Sequence, residues 1–318
     1  MSDKVSILIP VFNREKFISD CIQSALEQTF SNFEVIVVDN ASTDSTWEIC
    51  QHFANNDSRV RIYRNEFNIG PVQNWLRCAA EARGNYGKFL FSDDLMFPEF
   101  LEITIPYLKN KDVAFVSCAA LIGESLQNSS IHYKIPASHE LLSVKDYFEN
   151  LCTNCYPVPY SPGTAIFRMS DIRSNLLITI STNRYHNFSS NGAGPDVLLF
   201  ALTALKYASV IMLQDPFVFF RAHSGSISVI NDSESVTDGY RLAIAWFFKN
   251  YVGTKYWYVW IARIWFDEIN KRKRIIFPSK YLILYEGSGS MKENLILFIV
   301  IIRMIISKIK RKLFLFFD

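Results

Sequence analysis

A chain of 318 residues, 49% apolar and 20% charged, is long enough to bury a sizeable core and too apolar to be disordered. The formal net charge of +2 is unevenly spread: residues 270–318 hold eleven Lys and Arg against three Asp and Glu, which leaves 22 basic and 28 acidic groups upstream. An acidic body with a basic tail argues against a protein that coats nucleic acid, so no nucleic-acid partner is expected.

Val5–Val11 is a continuous β-branched and aliphatic run, which predicts a strand buried on both faces. Arg14–Gln28 spaces Phe17, Ile18, Cys21, Ile22, Ala25 and Leu26 as a helix, with Asn13 in the N-cap position. Phe33–Val38 is a second buried strand, and Ser42-Thr43-Asp44 opens a helix carrying Trp47, Ile49, Cys50 and Phe53. A short strand at Val60–Tyr63, a helix from Pro71 to Ala82, a fourth strand at Lys88–Phe91, a helix at Pro98–Leu108 and a strand at Val113–Cys118 follow. This alternation predicts an α/β fold of βαβ units with a mostly parallel sheet flanked by helices. Ligands of such sheets bind over the carboxyl ends of the strands, which here carry Phe12 and Asn13, Asp39 and Asn40, and Ser92-Asp93-Asp94.

From about Asp146 helices (Val144–Leu151, Asp196–Tyr207) are interleaved with strands (Thr164–Arg168, Val210–Met212, Phe217–Phe220), and past Asp238 the chain reads as helical. No G-x-G-x-x-G follows the first strand, and there is no G-x-x-x-x-G-K-[ST], H-E-x-x-H or G-x-S-x-G. What remains is carboxylates at strand ends. Asp93 and Asp94 repel each other unless a hard cation such as Mg²⁺ or Mn²⁺ sits beside them, or they form a solvated turn that caps the next helix. Asp39 is placed to accept hydrogen bonds from a base or ribose, or to close an Asx-turn.

Four segments, in order and spacing, resemble the GT-A-type, family 2 glycosyltransferases: Val5-Ser-Ile-Leu-Ile-Pro-Val-Phe-Asn13, Val37-Val-Asp-Asn-Ala-Ser-Thr-Asp44, Asn68-Ile-Gly70 with Asn74, and Gly84-Asn-Tyr-Gly-Lys-Phe-Leu-Phe-Ser-Asp-Asp94. The resemblance implies a Rossmann-like nucleotide-binding sheet in which Pro10, Phe12, Asn13 and Asp39 line the base and ribose of a nucleotide-sugar donor, a UDP-sugar above all. It implies further that Asn68 and Gly70 border the donor, that Asp94 ligates Mn²⁺ or Mg²⁺, and that Asp93 contacts the sugar or ribose. Many members carry an additional Asp two positions before this pair, where this chain has Phe91.

Two later segments extend the likeness. Asn191-Gly-Ala-Gly-Pro-Asp196 is similar to the family's Glu-Asp segment, whose Asp is the catalytic base, with Pro195 in place of the usual Glu. Asp196 stands at a helix start, where the dipole favours the carboxylate form; without the resemblance it reads as an ordinary N-terminal helix carboxylate. Phe220-Arg-Ala-His-Ser-Gly-Ser-Ile-Ser228 resembles the loop that brings Arg221 to the diphosphate and His223 to the metal, although a lone His is also often structural. The family frame implies an inverting enzyme that extends a lipid-linked saccharide in surface-polysaccharide (O-antigen or capsule) assembly. Transfer to a soluble or protein acceptor, or donor binding without catalysis, are the alternatives; a non-catalytic binder has no need of Asp196.

Cys21, Cys50, Cys78, Cys118, Cys152 and Cys155 sit in apolar or helical stretches, as reduced core thiols do, and Cys152-Thr-Asn-Cys155 lacks a second pair for zinc. With no secretory signal visible, the expected location is cytoplasmic. Ten aromatics between Trp246 and Phe266 suit either helix packing or a membrane interface. Leu295–Ile306 is apolar except for Arg303, and Ser307, Lys308, Lys310, Arg311 and Lys312 follow, ahead of Leu313–Phe317. That pattern predicts an in-plane amphipathic helix on the inner membrane face. The expected organisation is a nucleotide-sugar-binding half at 1–120, an acceptor-binding and catalytic half at 121–237, and a helical extension at 238–318.

Overall fold

The computed structural model describes residues 3–136, 140–154, 156–182, 187–188, 192–225, 233–272, 279–285 and 287–314, with side chains in the last helix described through residue 306. Cys155, residue 191 and residues 226–228 of the two later motifs, and the basic side chains after Ile306 lie outside the described residues.

Strands β1 (Val5–Val11), β2 (Phe33–Asp39), β3 (Val60–Arg64) and β4 (Tyr86–Phe89) pair in parallel, as the βαβ pattern predicts. Helices α1 (Ile18–Leu26), α2 (Thr46–Asn56) and α3 (Pro71–Glu81) connect them. Every residue of β1 and β2 is buried, which is why both are predominantly apolar, and the polar exceptions inside them, Ser6 and Glu34, are hydrogen-bonded to each other at 2.7 Å. Beyond β4 the sheet becomes mixed. β9 (Ala165–Arg168) runs antiparallel between β4 and β6 (Val113–Gly123), and β10 (Ser209–Arg221) lies parallel to β6. The short β5 (Leu95–Met96) closes the order β3-β2-β1-β4-β9-β6-β10-β5, while β7 (Ser129–His132) adds to β6 and β8 (Leu141–Ser143) to β10. The two strands predicted at Val210–Met212 and Phe217–Phe220 are one strand. Register shifts on both sides of Pro216 interrupt it, because proline has no N–H to donate to the ladder.

Alternate strand residues feed two cores. On one face Ile7, Ile9, Val35 and Val37 meet α1 and α4 (Phe100–Lys109). On the other, Leu8, Ile36, Val38 and Phe115 meet α3, α5 (Val144–Thr153), α6 (Met169–Asn175) and α7 (Pro195–Ala204).

The C-terminal helices complete that second core. α8 (Ser233–Phe247) passes through a π-helical turn (Phe248–Val252) into α9 (Thr254–Arg272), followed by α10 (Ser279–Leu284) and α11 (Met291–Phe314). Of the two readings of the aromatic band, core packing prevails. Phe247, Phe248, Trp257, Tyr258 and Trp260 are buried, Trp257 Nε1 donates to the Tyr285 carbonyl at 2.8 Å, and of the ten aromatics only Tyr251 is exposed, at 50%. α11 divides along its length. Leu297 and Ile301 pack inward, whereas Leu295, Phe298, Ile299, Ile302, Ile305 and Ile306 stand exposed. No described helix is long and apolar enough to cross a membrane.

Two helix starts differ from the periodicity. Asn13 is no N-cap: it adopts a left-handed φ of 51°, its N–H donates to Ser42 Oγ at 2.9 Å, and its Oδ1 accepts the Thr43 N–H at 2.9 Å. Asp44 accepts N–H groups from Glu15 and Thr46, so α2 begins two residues later than the motif suggests. In both cases the polar side chains join the β1 and β2 loops to each other, an alternative to capping that a sequence pattern cannot distinguish. Cys21, Cys50, Cys78, Cys118 and Cys152 are buried free thiols.

Candidate active site

The first three strand ends form a wall. Phe12 projects from the end of β1, 38% exposed, and Pro10 behind it is buried. Asp39 ends β2 fully buried, held by the Ser42 N–H and hydroxyl and by Arg64 Nε at 3.0 Å. Its carboxylate is therefore anchored within the protein as well as lying in the wall. Next to it Asn40, Asn65, Asn68 and Asn74 form a side-chain chain. Asn40 Nδ2 donates to Asn68 Oδ1 at 2.8 Å, Asn65 Nδ2 to Asn40 and Asn74, and Asn74 Nδ2 to the Val38 carbonyl. Asn68 Oδ1 also accepts the Gly70 N–H at 2.9 Å, where a φ of 85° turns the chain into α3 and favours glycine. Asn68 and Gly70 thus shape the loop, supported by Asn40 from the end of β2 and by Asn65, which no sequence motif had singled out.

The acidic pair lies just past β4. Asp93 Oδ2 meets His223 Nε2 at 2.9 Å and Arg14 Nε at 3.4 Å, and the Asp93 carbonyl accepts from Arg221 Nε. His223 Nδ1 accepts the Gly225 N–H at 3.1 Å, so the ring proton sits on Nε2 and points at Asp93. Asp94 is buried, and its Oδ1 accepts the Arg221 backbone N–H at 3.0 Å. Arg221 lies over the Phe17 ring at 5.0 Å and reaches Asp20. The end of β10 is thereby fastened to the end of β4, uniting Asp93, Asp94, Arg221 and His223 as the motifs imply. Arg14, which also donates to the Gly225 carbonyl, was missed; its one signal is its position directly after Asn13.

Burial, and next the adjacent Asp93, push the Asp94 carboxyl well above the usual carboxylate range. Lys88 pulls the other way. Its side chain is fully buried, donates to the Phe89 carbonyl at 2.8 Å and to the Gly163 carbonyl, and lies over the Phe100 ring; burial brings it down to about 8. Two adjacent carboxylates, one forced toward its neutral form, fit a hard divalent cation, whereas the His223 ring, expected as a further metal ligand, has both nitrogens engaged, one by Asp93 and one by the Gly225 N–H. Among the described residues no three His, Cys, Asp or Glu side chains form a ready-made ion cage. Diphosphate oxygens and water would have to complete the shell. Phe91, in the position where many relatives have Asp, packs on Trp75 at 5.2 Å and on Phe89, so it belongs to the aromatic core.

Asp196 occupies the first turn of α7, 6% exposed. Its Oδ1 accepts the Gly194 and Val197 N–H groups at 2.9 and 2.7 Å, and its Oδ2 accepts the Tyr240 hydroxyl at 2.6 Å. The helix start alone would favour the charged form, but burial outweighs these donors and raises the carboxyl to about 7. The approach to Asp196 is tight: a Cβ on Gly192, whose φ is 80°, would lie 2.4 Å from the Trp75 ring. Trp75 therefore touches both the Asp196 loop and Phe91 of the acidic strand.

The sequence profile of Glycosyl transferase family 2 matches residues 6–175. The chain belongs to that family. Among its relatives is glycosyltransferase GlyG of Streptococcus pneumoniae, 34% identical over 36% of this chain and 38% of GlyG. Bacillus subtilis TuaG, named for teichuronic acid biosynthesis, is 30% identical over 54% of this chain and 67% of its own length. The fold is similar to that of Staphylococcus aureus TarS 1–349, with a TM-score of 0.60 at 18% identity over 89% of this chain and 81% of that one. TarS 1–349 has been seen in complex with UDP (TM-score 0.59, 18% identity, 88% and 78% covered) and with UDP-GlcNAc (0.52, 17%, 92% and 89%). The family 2 profile ends before Asp196, Arg221 and His223, so the second half of the site is described by geometry alone.

Proposed function

We propose that this family 2 protein is a metal-dependent, inverting glycosyltransferase that moves a sugar from a UDP-sugar to a hydroxyl of a lipid-linked saccharide in surface-polysaccharide assembly. The observation that carries the proposal is Asp196, a carboxylate held by three hydrogen bonds and brought to about 7, where a general base works best near neutral pH. The uridine choice is supported by the likeness to TarS with UDP and UDP-GlcNAc, and the polysaccharide assignment by the likeness to TuaG.

In this reading Phe12, with Pro10 behind it, stacks on the base, while Asn13 and Asp39 form the wall beside the ribose and Asn68 and Gly70 close its edge. Asp94 would hold Mn²⁺ or Mg²⁺, with Asp93 and His223 next to it, and the ion would neutralise the charge of the leaving diphosphate. Arg221 offers a guanidinium to the same phosphates. Asp196 takes the proton from the acceptor hydroxyl as that oxygen attacks the anomeric carbon, and opposite-face attack inverts the configuration. The test is turnover of a panel of UDP- and GDP-sugars with Mn²⁺, with Mg²⁺ and with chelator. Nucleotide release from a UDP-sugar that stops in chelator is expected; equal release in chelator would overturn the metal-dependent reading.

The same proposal places the protein on the cytoplasmic face of the membrane through α11. Its exposed Leu295, Phe298, Ile299, Ile302, Ile305 and Ile306, with Arg303 among them, suit the interfacial zone of an anionic bilayer. Because Leu297 and Ile301 belong to the core, the outer face alone is the proper target. Leu295→Glu with Phe298→Glu and Ile302→Glu is expected to weaken binding to phosphatidylglycerol vesicles by roughly tenfold or more, with little change in thermal midpoint. Unchanged co-sedimentation would remove the membrane assignment.

A further inference from the structure

We propose that Tyr240, on helix α8 of the C-terminal extension, is the positioning residue of the Asp196 base, so that the extension takes part in the chemistry as well as in packing. The inference rests on the reading of Asp196 as the base. Its grounds are geometric. Asp196 Oδ1 is occupied by the backbone N–H groups of Gly194 and Val197, which fix the carboxylate on its own loop. Oδ2 is left to receive a substrate proton, and the hydrogen bond found at that oxygen comes from the Tyr240 hydroxyl at 2.6 Å. A contact this short to a carboxylate is charge-assisted and directional, so it selects one orientation of the acid.

The surroundings make the tyrosine a donor throughout the working range. Tyr240 packs against the Tyr160 ring at 5.2 Å, and burial followed by the charge of Asp196 raises its hydroxyl well above the usual phenol value. Tyr133 and Tyr160 also face Asp196, and Arg263 lies beyond Tyr160; both tyrosines are likewise raised, with burial the first cause. Asp196 is therefore surrounded by neutral phenols, of which Tyr240 alone donates a described hydrogen bond to it. That bond favours the ionised acid, while burial favours the neutral one. Tyr240 keeps a desolvated base usable.

Tyr240→Phe retains the ring and its contact with Tyr160 and removes only the hydroxyl. With whichever of UDP-GlcNAc, UDP-glucose, UDP-galactose or GDP-mannose the wild type turns over, kcat is expected to fall about tenfold or more with little change in donor KM. The acidic limb of the pH profile should move upward by roughly one unit, because the ionised acid has lost a donor. A double-mutant cycle with Asp196→Asn provides a readout without turnover. In the wild-type background the Tyr240→Phe loss in thermal midpoint should be larger at pH 8 than at pH 5. The native acid holds its proton more tightly than the unfolded one, and removing the donor widens that difference. In the Asp196→Asn background the pH dependence of the loss should vanish. Wild-type turnover with an unmoved pH profile and additive midpoints would overturn the role of Tyr240 alone. Coupled midpoints with no turnover of any nucleotide sugar would instead remove the transferase reading, and with it the base that Tyr240 positions.

Discussion

Asp196→Asn is expected to keep the fold and the affinity for donor and to lower sugar transfer by about 10²–10⁴-fold. The asparagine retains an oxygen for the Gly194 and Val197 N–H groups and a polar partner for Tyr240, so the loop before α7 has no reason to rearrange. What it lacks is the capacity to take a proton. Because the wild-type acid sits at about 7, its activity should rise with pH through that value, and the variant should show no such limb. Stability moves oppositely. A carboxyl raised from 3.8 to about 7 binds its proton more tightly in the folded state, so the wild type loses stability as pH rises through that window. Above it, the variant should be the more stable protein by on the order of a few kcal/mol. Turnover, calorimetric donor binding and thermal midpoints at pH 5 and 8 check all three expectations. Wild-type transfer by the variant would end the assignment of the base.

Asp94→Asn is expected to lower metal-supported turnover by roughly 10²-fold or more, since several kcal/mol of leaving-group stabilisation go with the ion. It should not lower stability. Burial and the neighbouring Asp93 both work against the Asp94 charge, and together they outweigh Lys88 and Arg221. An amide oxygen can still accept the Arg221 N–H that Asp94 Oδ1 accepts now. Loss of function without loss of stability is the mark of a group retained for chemistry. The check is donor turnover at saturating Mn²⁺ or Mg²⁺ beside the thermal midpoint. Full activity in this variant would place the ion elsewhere.

The parts of the fold that were legible are those whose cause is local. β1 and β2 are buried on both faces, so Val5–Val11 and Phe33–Val38 are mostly apolar and recognisable without any partner, while the buried Ser6 and Glu34 satisfy each other across the two strands. β9 and β5 were not recognisable as antiparallel members of the sheet, because strand direction depends on what lies alongside. Asn13 has the composition of a helix cap and is bonded instead to the neighbouring loop, about thirty residues away, while Asp44 divides its carboxylate between that loop and the Thr46 N–H at the start of α2. The aromatic band from Trp246 to Phe266 has the same composition whether it faces lipid or a core; Leu242, Phe148 and Tyr285 around it decide for the core.

Local pattern suffices for the parallel half of the sheet, the order of its motifs, and which carboxylates stand at strand and helix ends. The tertiary structure alone decided what those carboxylates are. It pairs Asp93 with Arg14 and His223, makes Asp39 a buried anchor for Arg64, and gives Asp196 a tyrosine from a helix 44 residues further along the chain. The reason is physical: a side chain's identity sets which proton it can exchange, but its charge state follows from desolvation and from neighbours supplied by distant segments. Asp196 is the plainest case. Its position at a helix start favours the anion, and the packing around it brings it instead to the edge of protonation.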